Sequence, residues 1–152
     1  MPDPLRVVPD TSCLIALSAL SLLDLLREFY GEVAVPRGVA EELGEPLPAW
    51  VTHVDAAPLV VAALRESLGL GEAEVIAVAA AHPGTVAILD DERARAACRA
   101  MGVALTGTLG VLLRAKREGR LPSLSDALDA LDAIGFRLSP ELKAEARKLA
   151  GE

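Results

Sequence analysis

The 152-residue chain carries 22 acidic and 15 basic residues for a net charge of −7, with 52% hydrophobic and only 3% aromatic side chains. That balance supports one domain over 1–152 with a sizeable core and excludes a disordered acidic tail. It also excludes a nucleic-acid binder that relies on bulk positive charge or on stacked aromatic platforms. A nuclease whose carboxylates are neutralised by a cation remains open.

Asp3, Arg6 and Asp10 interrupt the first ten residues, so no signal peptide is read there. A strand is predicted over 6–8. Asp10 then stands at its C-terminal end, followed by Thr11, Ser12 and a helix over 13–19. The uncharged run 11–23 is too short to cross a membrane. A second helix over 22–29 has Ser21 as its cap, and Gly31 precedes a strand over 33–35. Pro36 suits the first turn of a helix ending near 43, stopped by Gly44, Pro46 and Pro48. Residues 50–54 alternate as a short edge strand, and 58–68 reads as a helix.

Gly69 and Gly71 punctuate the chain before a strong helix over 72–81. A buried strand over 86–89 ends at Asp90-Asp91, and a helix over 93–101 follows. A strand over 103–105 leads through Gly107-Thr108 into a helix reaching about 118. Helices from 123 to 134 and after Ser139-Pro140-Glu141 close the chain, the last with a cap, a first-turn proline and an acid. Strands alternating with helices predict an α/β protein with a parallel sheet of four to five strands, flanked by helices, with 123–152 packed on it. Cys13 and Cys98 stand singly, without a CxxC, which suggests a reducing cytoplasm. His53 and His82 lack a ligand spacing and read as surface or turn residues.

Four acids draw attention. In an open parallel sheet, ligands bind at the carboxyl ends of the strands, where Asp10 and Asp91 lie. On the helix over 36–43, Glu42 borders the apolar arc of Val39, Ala40 and Leu43, while Glu41 points to solvent. On the helix over 72–81, Glu72 falls on the face of Val75, Ile76 and Ala79, and Glu74 points away. Each has a structural alternative: Asp10 and one of Asp90 and Asp91 as helix caps, Glu42 as a surface acid, Glu72 as a first-turn acid. Together, Asp10, Glu42, Glu72 and Asp91 form an all-oxygen ligand set, with Asp90 and Glu74 as further candidates. Such sets select Mg²⁺ or Mn²⁺.

These motifs resemble the PIN-domain nucleases. Val8-Pro9-Asp10-Thr11-Ser12 is similar to their first strand with its D-T-S or D-T-N, and Val39-Ala40-Glu41-Glu42-Leu43 to their second motif. Glu72 to Ala79 resembles their D-A-x-I-x-A-x-A helix, with Glu72 in the Asp position. Ile88-Leu89-Asp90-Asp91 resembles V-T-x-D, with Leu89 in place of Thr. The segment 103–116 and the later Gly135-Phe136-Arg137-Leu138-Ser139 resemble a bacterial and archaeal branch of the superfamily. The resemblance implies a PIN-like three-layer fold and a Mg²⁺- or Mn²⁺-dependent endoribonuclease. It also implies the VapC-type toxin half of a toxin–antitoxin pair, a homodimer with a small antitoxin partner.

Thr11 and Ser12 are placed to orient Asp10 or a bound water. Arg93, Arg95 and Arg99 are candidates for the RNA backbone, or a solvated helix face. Gly107 and Thr108 offer a helix N-terminus to a phosphate, or form an ordinary strand-to-helix turn. The alternatives are a catalytically inactive PIN-like interaction module and a phosphotransfer domain. A haloacid-dehalogenase-like phosphatase wants an Asp where Ser12 stands. A receiver wants a strand-end Lys, whereas Lys116, Lys143 and Lys148 fall late.

Overall fold

Val7 and Val8 are wholly buried and lie in β1 (Val7–Pro9). In the computed structural model, which describes residues 5–152, β1 pairs in parallel with β4 (Val86–Ile88), in the register Val7 to Val86. On its other side, β4 pairs in parallel with β5 (Ala104–Thr106). A second parallel pair joins β2 (Ala34–Pro36) to β3 (Thr52–Val54). One parallel bridge, Val7 with Val33, links the two sheets, so the strands run β3-β2-β1-β4-β5. Strands of three residues suffice because β1, β2 and most of β4 are buried on both faces, as parallel strands between helix layers are.

Helices connect every strand, giving the mixed α/β layering expected from the sequence. After β1 come α1 (Thr11–Ala19) and α2 (Asp24–Tyr30); α3 (Arg37–Leu43) follows β2, and α4 (Pro58–Leu64) and α5 (Leu70–Ala81) follow β3. Between β4 and β5 lies α6 (Glu92–Ala100), and α7 (Thr108–Arg117), α8 (Leu124–Ala133) and α9 (Pro140–Leu149) complete the chain. Leu14, Leu17, Leu26, Ile76, Leu112, Leu124, Leu128 and Leu131 join the strand valines in one core. Glu152 accepts from the N–H groups of Leu124 and Ser125 at 2.7 and 3.0 Å, tying the end of the chain to the start of α8.

Several local expectations are corrected. Ser21 caps nothing: it adopts φ 57°, and the residue before α2 is Leu23, which makes no side-chain cap bond. Pro36 ends β2 in extended conformation instead of entering α3, since ψ 153° keeps it out of the helix. The helix predicted over 58–68 stops at Leu64. Although α4 is apolar throughout, it contains no buried residue. No described helix is long and apolar enough to cross a membrane. The absence of a leader was read partly from positions 1–4, which lie outside the described residues.

Candidate functional site

Three helices begin at the carboxyl edge of the sheet, and an acid stands at the start of each. Asp10 follows β1 directly and is the N-cap of α1, its Oδ1 accepting from Cys13 N at 2.8 Å. Asp91 follows β4 after Leu89 and Asp90, and caps α6, accepting from Ala94 N at 3.1 Å. Glu72 occupies the third position of α5 and accepts from the N–H of Gly69, the cap residue. That reach is one half of a capping box. So the structural alternative for each acid is realised, yet it does not compete with a shared site. Capping turns the carboxylates toward helix starts, and these starts meet at one place. The positive ends of the helix dipoles then favour the clustered negative charge.

The meeting place is a cleft of about 430 Å³ lined by Asp10, Glu42, Glu72 and Asp91 with Thr11, Ser12 and Arg93. Glu42 reaches it from the exposed border of α3, while Glu41 faces a different hollow, as the helical phase predicts. Gly71 forms part of the wall. A Cβ there would lie 3.5 Å from Glu42 Oε2 and 3.7 Å from Thr11 Oγ1, so a larger side chain would intrude between them. Ser67, Leu68 and Gly69 complete the same side. The sequence reading missed these wall residues by treating the glycines as punctuation. Two glycines immediately before an acidic helix start were the available signal.

Electrostatics follow from burial. Asp10 is 5% exposed, and its carboxyl is pushed up to about 7 by desolvation first, then by the charges of Asp90 and Glu72. Two backbone N–H bonds, from Cys13 and Asp90, oppose that rise without cancelling it. Glu72 is raised as well, by burial and by Asp91 and Glu42, against the Gly69 N–H. A site that raises its own acids is one a cation would relieve. Thr11 Oγ1 is buried with no hydrogen-bond partner among the described residues and borders the same cleft.

Other candidates fall elsewhere. Asp90 turns to the far side of the β4–α6 junction, where Thr108 N and Oγ1 donate to it at 2.8 and 2.6 Å. Its carboxylate therefore fills the α7 N-terminus that Gly107 and Thr108 were expected to offer a phosphate. Glu74 accepts from Gly38 N at 2.7 Å and is absent from the cleft wall, because its place on α5 faces the start of α3. Arg95 donates to the Leu89 carbonyl at 2.8 Å, and Arg99 pairs with Glu92 at 3.2 Å. Of the three arginines only Arg93 lines the cleft. The two cysteines are buried and unbonded to each other.

Along one cleft at the carboxyl edge of the parallel sheet, four carboxylates offer oxygen donors only, the donor type that hard cations take. The sequence profile of the PIN-domain family matches residues 6–152, and the chain belongs to that family. PIN domains are generally nucleases and commonly bind divalent metals. No curated protein and no solved structure matches the chain. The donor set fits a divalent cation in kind: oxygen atoms only, two acids, Asp10 and Glu72, raised by burial and by neighbouring carboxylates, and a hydroxyl without a partner among the described residues. Among the described residues, however, no three acids, histidines or cysteines are drawn together closely enough to form a ready-made metal cluster. Like charges hold apart, and Asp10 and Asp91 each direct oxygens to backbone donors.

Proposed function

We propose that the protein is a divalent-cation-dependent endoribonuclease that hydrolyses RNA phosphodiester bonds, with Asp10, Glu42, Glu72 and Asp91 holding Mg²⁺ or Mn²⁺. The observation that supports this reading is the gathering of four carboxylates, distant in sequence, along one cleft of a PIN domain. A cation bound there supplies polarisation of the phosphoryl oxygen and a water of lowered pKa. The chain's own groups do the rest. Arg93 on the rim offers a guanidinium to a phosphate oxygen, and the Ser12 and Thr11 hydroxyls hold water or ligand beside Asp10. Asp10 stays where Cys13 N and Asp90 N fix it.

Purified protein incubated with labelled RNA and Mn²⁺ is expected to cut it, and Asp10→Asn to abolish cutting. Equal cleavage by the variant assigns the activity to a contaminant and removes the reading. A matched DNA strand in the same assay tests the preference for RNA. The motif resemblance supports a finer form: a VapC-type toxin that works as a cytoplasmic homodimer and is restrained by a small antitoxin. Growth arrest by wild type, absent with Asp10→Asn and relieved by a small neighbouring gene, tests it. One observation speaks for a second reading, a non-catalytic interaction module: among the described residues no three of the acids along the cleft form a close-set metal cluster. Failure of wild type both to cleave and to take up Mn²⁺ in calorimetry would select that module.

A further inference from the structure

The residues after β4 alternate between two hollows. Asp91 and Arg93 line the carboxylate cleft, whereas Asp90 and Glu92 line a second one on the opposite side of the junction. This second cleft, of about 460 Å³, lies between α6, α7 and the segment 136–142. Its size is that of a small-ligand site, ~300–1,000 Å³. Its lining combines the apolar side chains of Leu109, Leu113, Phe136 and Leu138 with the arginines Arg95, Arg99 and Arg137.

Three arginines in one hollow are notable in a chain of net charge −7. Of the two acids that share it, Asp90 is committed to Thr108, and Glu92 to an ion pair with Arg99 whose side chains are 53% and 78% exposed. Such an exposed pair is held by little free energy and opens readily for a phosphate. Arg137 makes no salt bridge with any described residue, and Arg95 donates to the Leu89 carbonyl at 2.8 Å. The Gly135–Ser139 motif singled out in the sequence thus supplies an aromatic ring, Phe136, and a guanidinium, Arg137, without an ion pair among the described residues.

We propose that this cleft is a nucleotide subsite, which holds the strand on one side of the bond being cut. Arg99 and Arg137 contact its phosphates, and an unstacked base lies against Phe136 and the leucines. The proposal rests on the nuclease reading for its occupant. Charge complementarity to phosphate carries the placement, together with the junction 90–93, whose alternate residues line the two clefts. An apolar lining reached only by a splayed base selects single-stranded RNA over a duplex.

The test is fluorescence anisotropy of a fluorescein-labelled oligouridylate on the full chain in chelating buffer, across a salt series. Cleavage with Mn²⁺ is followed in parallel. The double variant Arg99→Gln/Arg137→Gln is expected to bind on the order of tenfold more weakly, and to lower the salt slope of log K by about 1.4, which is 0.7 for each phosphate lost. Phe136→Ala is expected to weaken binding on the order of tenfold as well. Its thermal melt reports folding, and the charge variants, on exposed side chains, decide the matter if it unfolds.

Wild-type affinity and slope in the double variant, or no binding by wild type, overturn the subsite; continued Mn²⁺-dependent cleavage would then leave the nuclease reading standing. Binding lost in the double variant without any cleavage by wild type does the reverse. Equal affinity for the strand and its duplex overturns the base-splaying part. A Leu/Glu-rich peptide that binds where the oligonucleotide does not makes the cleft a peptide dock, and the proposal fails.

Discussion

The backbone N–H of Asp90 donates to Oδ2 of Asp10 at 3.2 Å, across 80 positions of sequence. Because Asp90 also receives two hydrogen bonds from Thr108, the end of β4 and the start of α7 jointly fix the carboxylate at the end of β1. A buried acid is thereby held in one orientation by the Cys13 N–H of its own helix and by a donor on a second segment, which a third segment anchors in turn. It is poised for a cation and destabilised without one.

That tension predicts a pH dependence. Asp10 titrates at about 7 in the folded chain against 3.8 for an unperturbed carboxyl, chiefly through burial. Between those values the folded state keeps a proton that the unfolded state has lost. Stability of the cation-free protein therefore falls as pH rises from about 4 to 7, then levels off. A displacement of that size corresponds to roughly 4 kcal/mol. Urea melts in chelator from pH 4 to 8 are expected to show the fall in wild type and a much shallower one in Asp10→Asn, the residue coming from Glu72, which is raised in the same direction. A wild-type midpoint independent of pH would contradict the buried charge.

Metal should reverse the penalty. A cation that binds the folded chain alone stabilises it by about 2.7 kcal/mol at a hundred times its Kd. Mn²⁺ at pH 7.5 is expected to raise the melting temperature of wild type, and to do so far less in Glu72→Gln or Asp10→Asn. An equal rise in all three proteins would place the ion outside the carboxylate cleft.

Apolar strands ending in acids, and glycine or proline at element ends, made the α/β alternation legible before any coordinates. They act locally: Val7, Val8, Ala87 and Ile88 are buried on both faces, and Ser139 and Pro140 start α9 as their chemistry dictates. What stayed hidden is relational. Nothing in Asp90-Asp91 tells which acid turns to Thr108 and which to Ala94, since that depends on where α7 begins. The amphipathic argument for Glu72 was also incomplete. Apart from Leu70 and Ala81 at its two ends, α5 is buried or half-buried all round, so Glu74, nominally on the outer face, meets α3. Arg137 is remote in sequence from the other arginines, and only the packing of α8 and α9 on α7 brings it beside them.

Glu74 supplies a contrast to the site acids. Its carboxylate accepts from Gly38 N and sits 2.8 Å from where a Cβ on Gly38 would lie. Glu74→Ala removes the partner of an N-terminal N–H of α3 and is expected to cost about 1–2 kcal/mol. Gly38→Ala is expected to destabilise by forcing the same carboxylate away. Mn²⁺ affinity per folded molecule should survive Glu74→Ala, as read by calorimetry; its loss would return Glu74 to the ligand set.

Thr108 should act on Asp10 through Asp90. It is wholly buried, and its Oγ1 donates to the Asp90 carboxylate at 2.6 Å. Thr108→Val keeps the shape and removes the donor, at a cost of about 1.5–3 kcal/mol for a hydrogen bond to a charged group. With Asp90 freed on one side, the N–H that orients Asp10 loosens too. The expected signature is a lower kcat with KM little changed, because substrate contacts lie elsewhere, and recovery of both stability and kcat in Thr108→Ser. A Val variant that melts early yet turns over at the wild-type kcat would confine Thr108 to holding α7 in place.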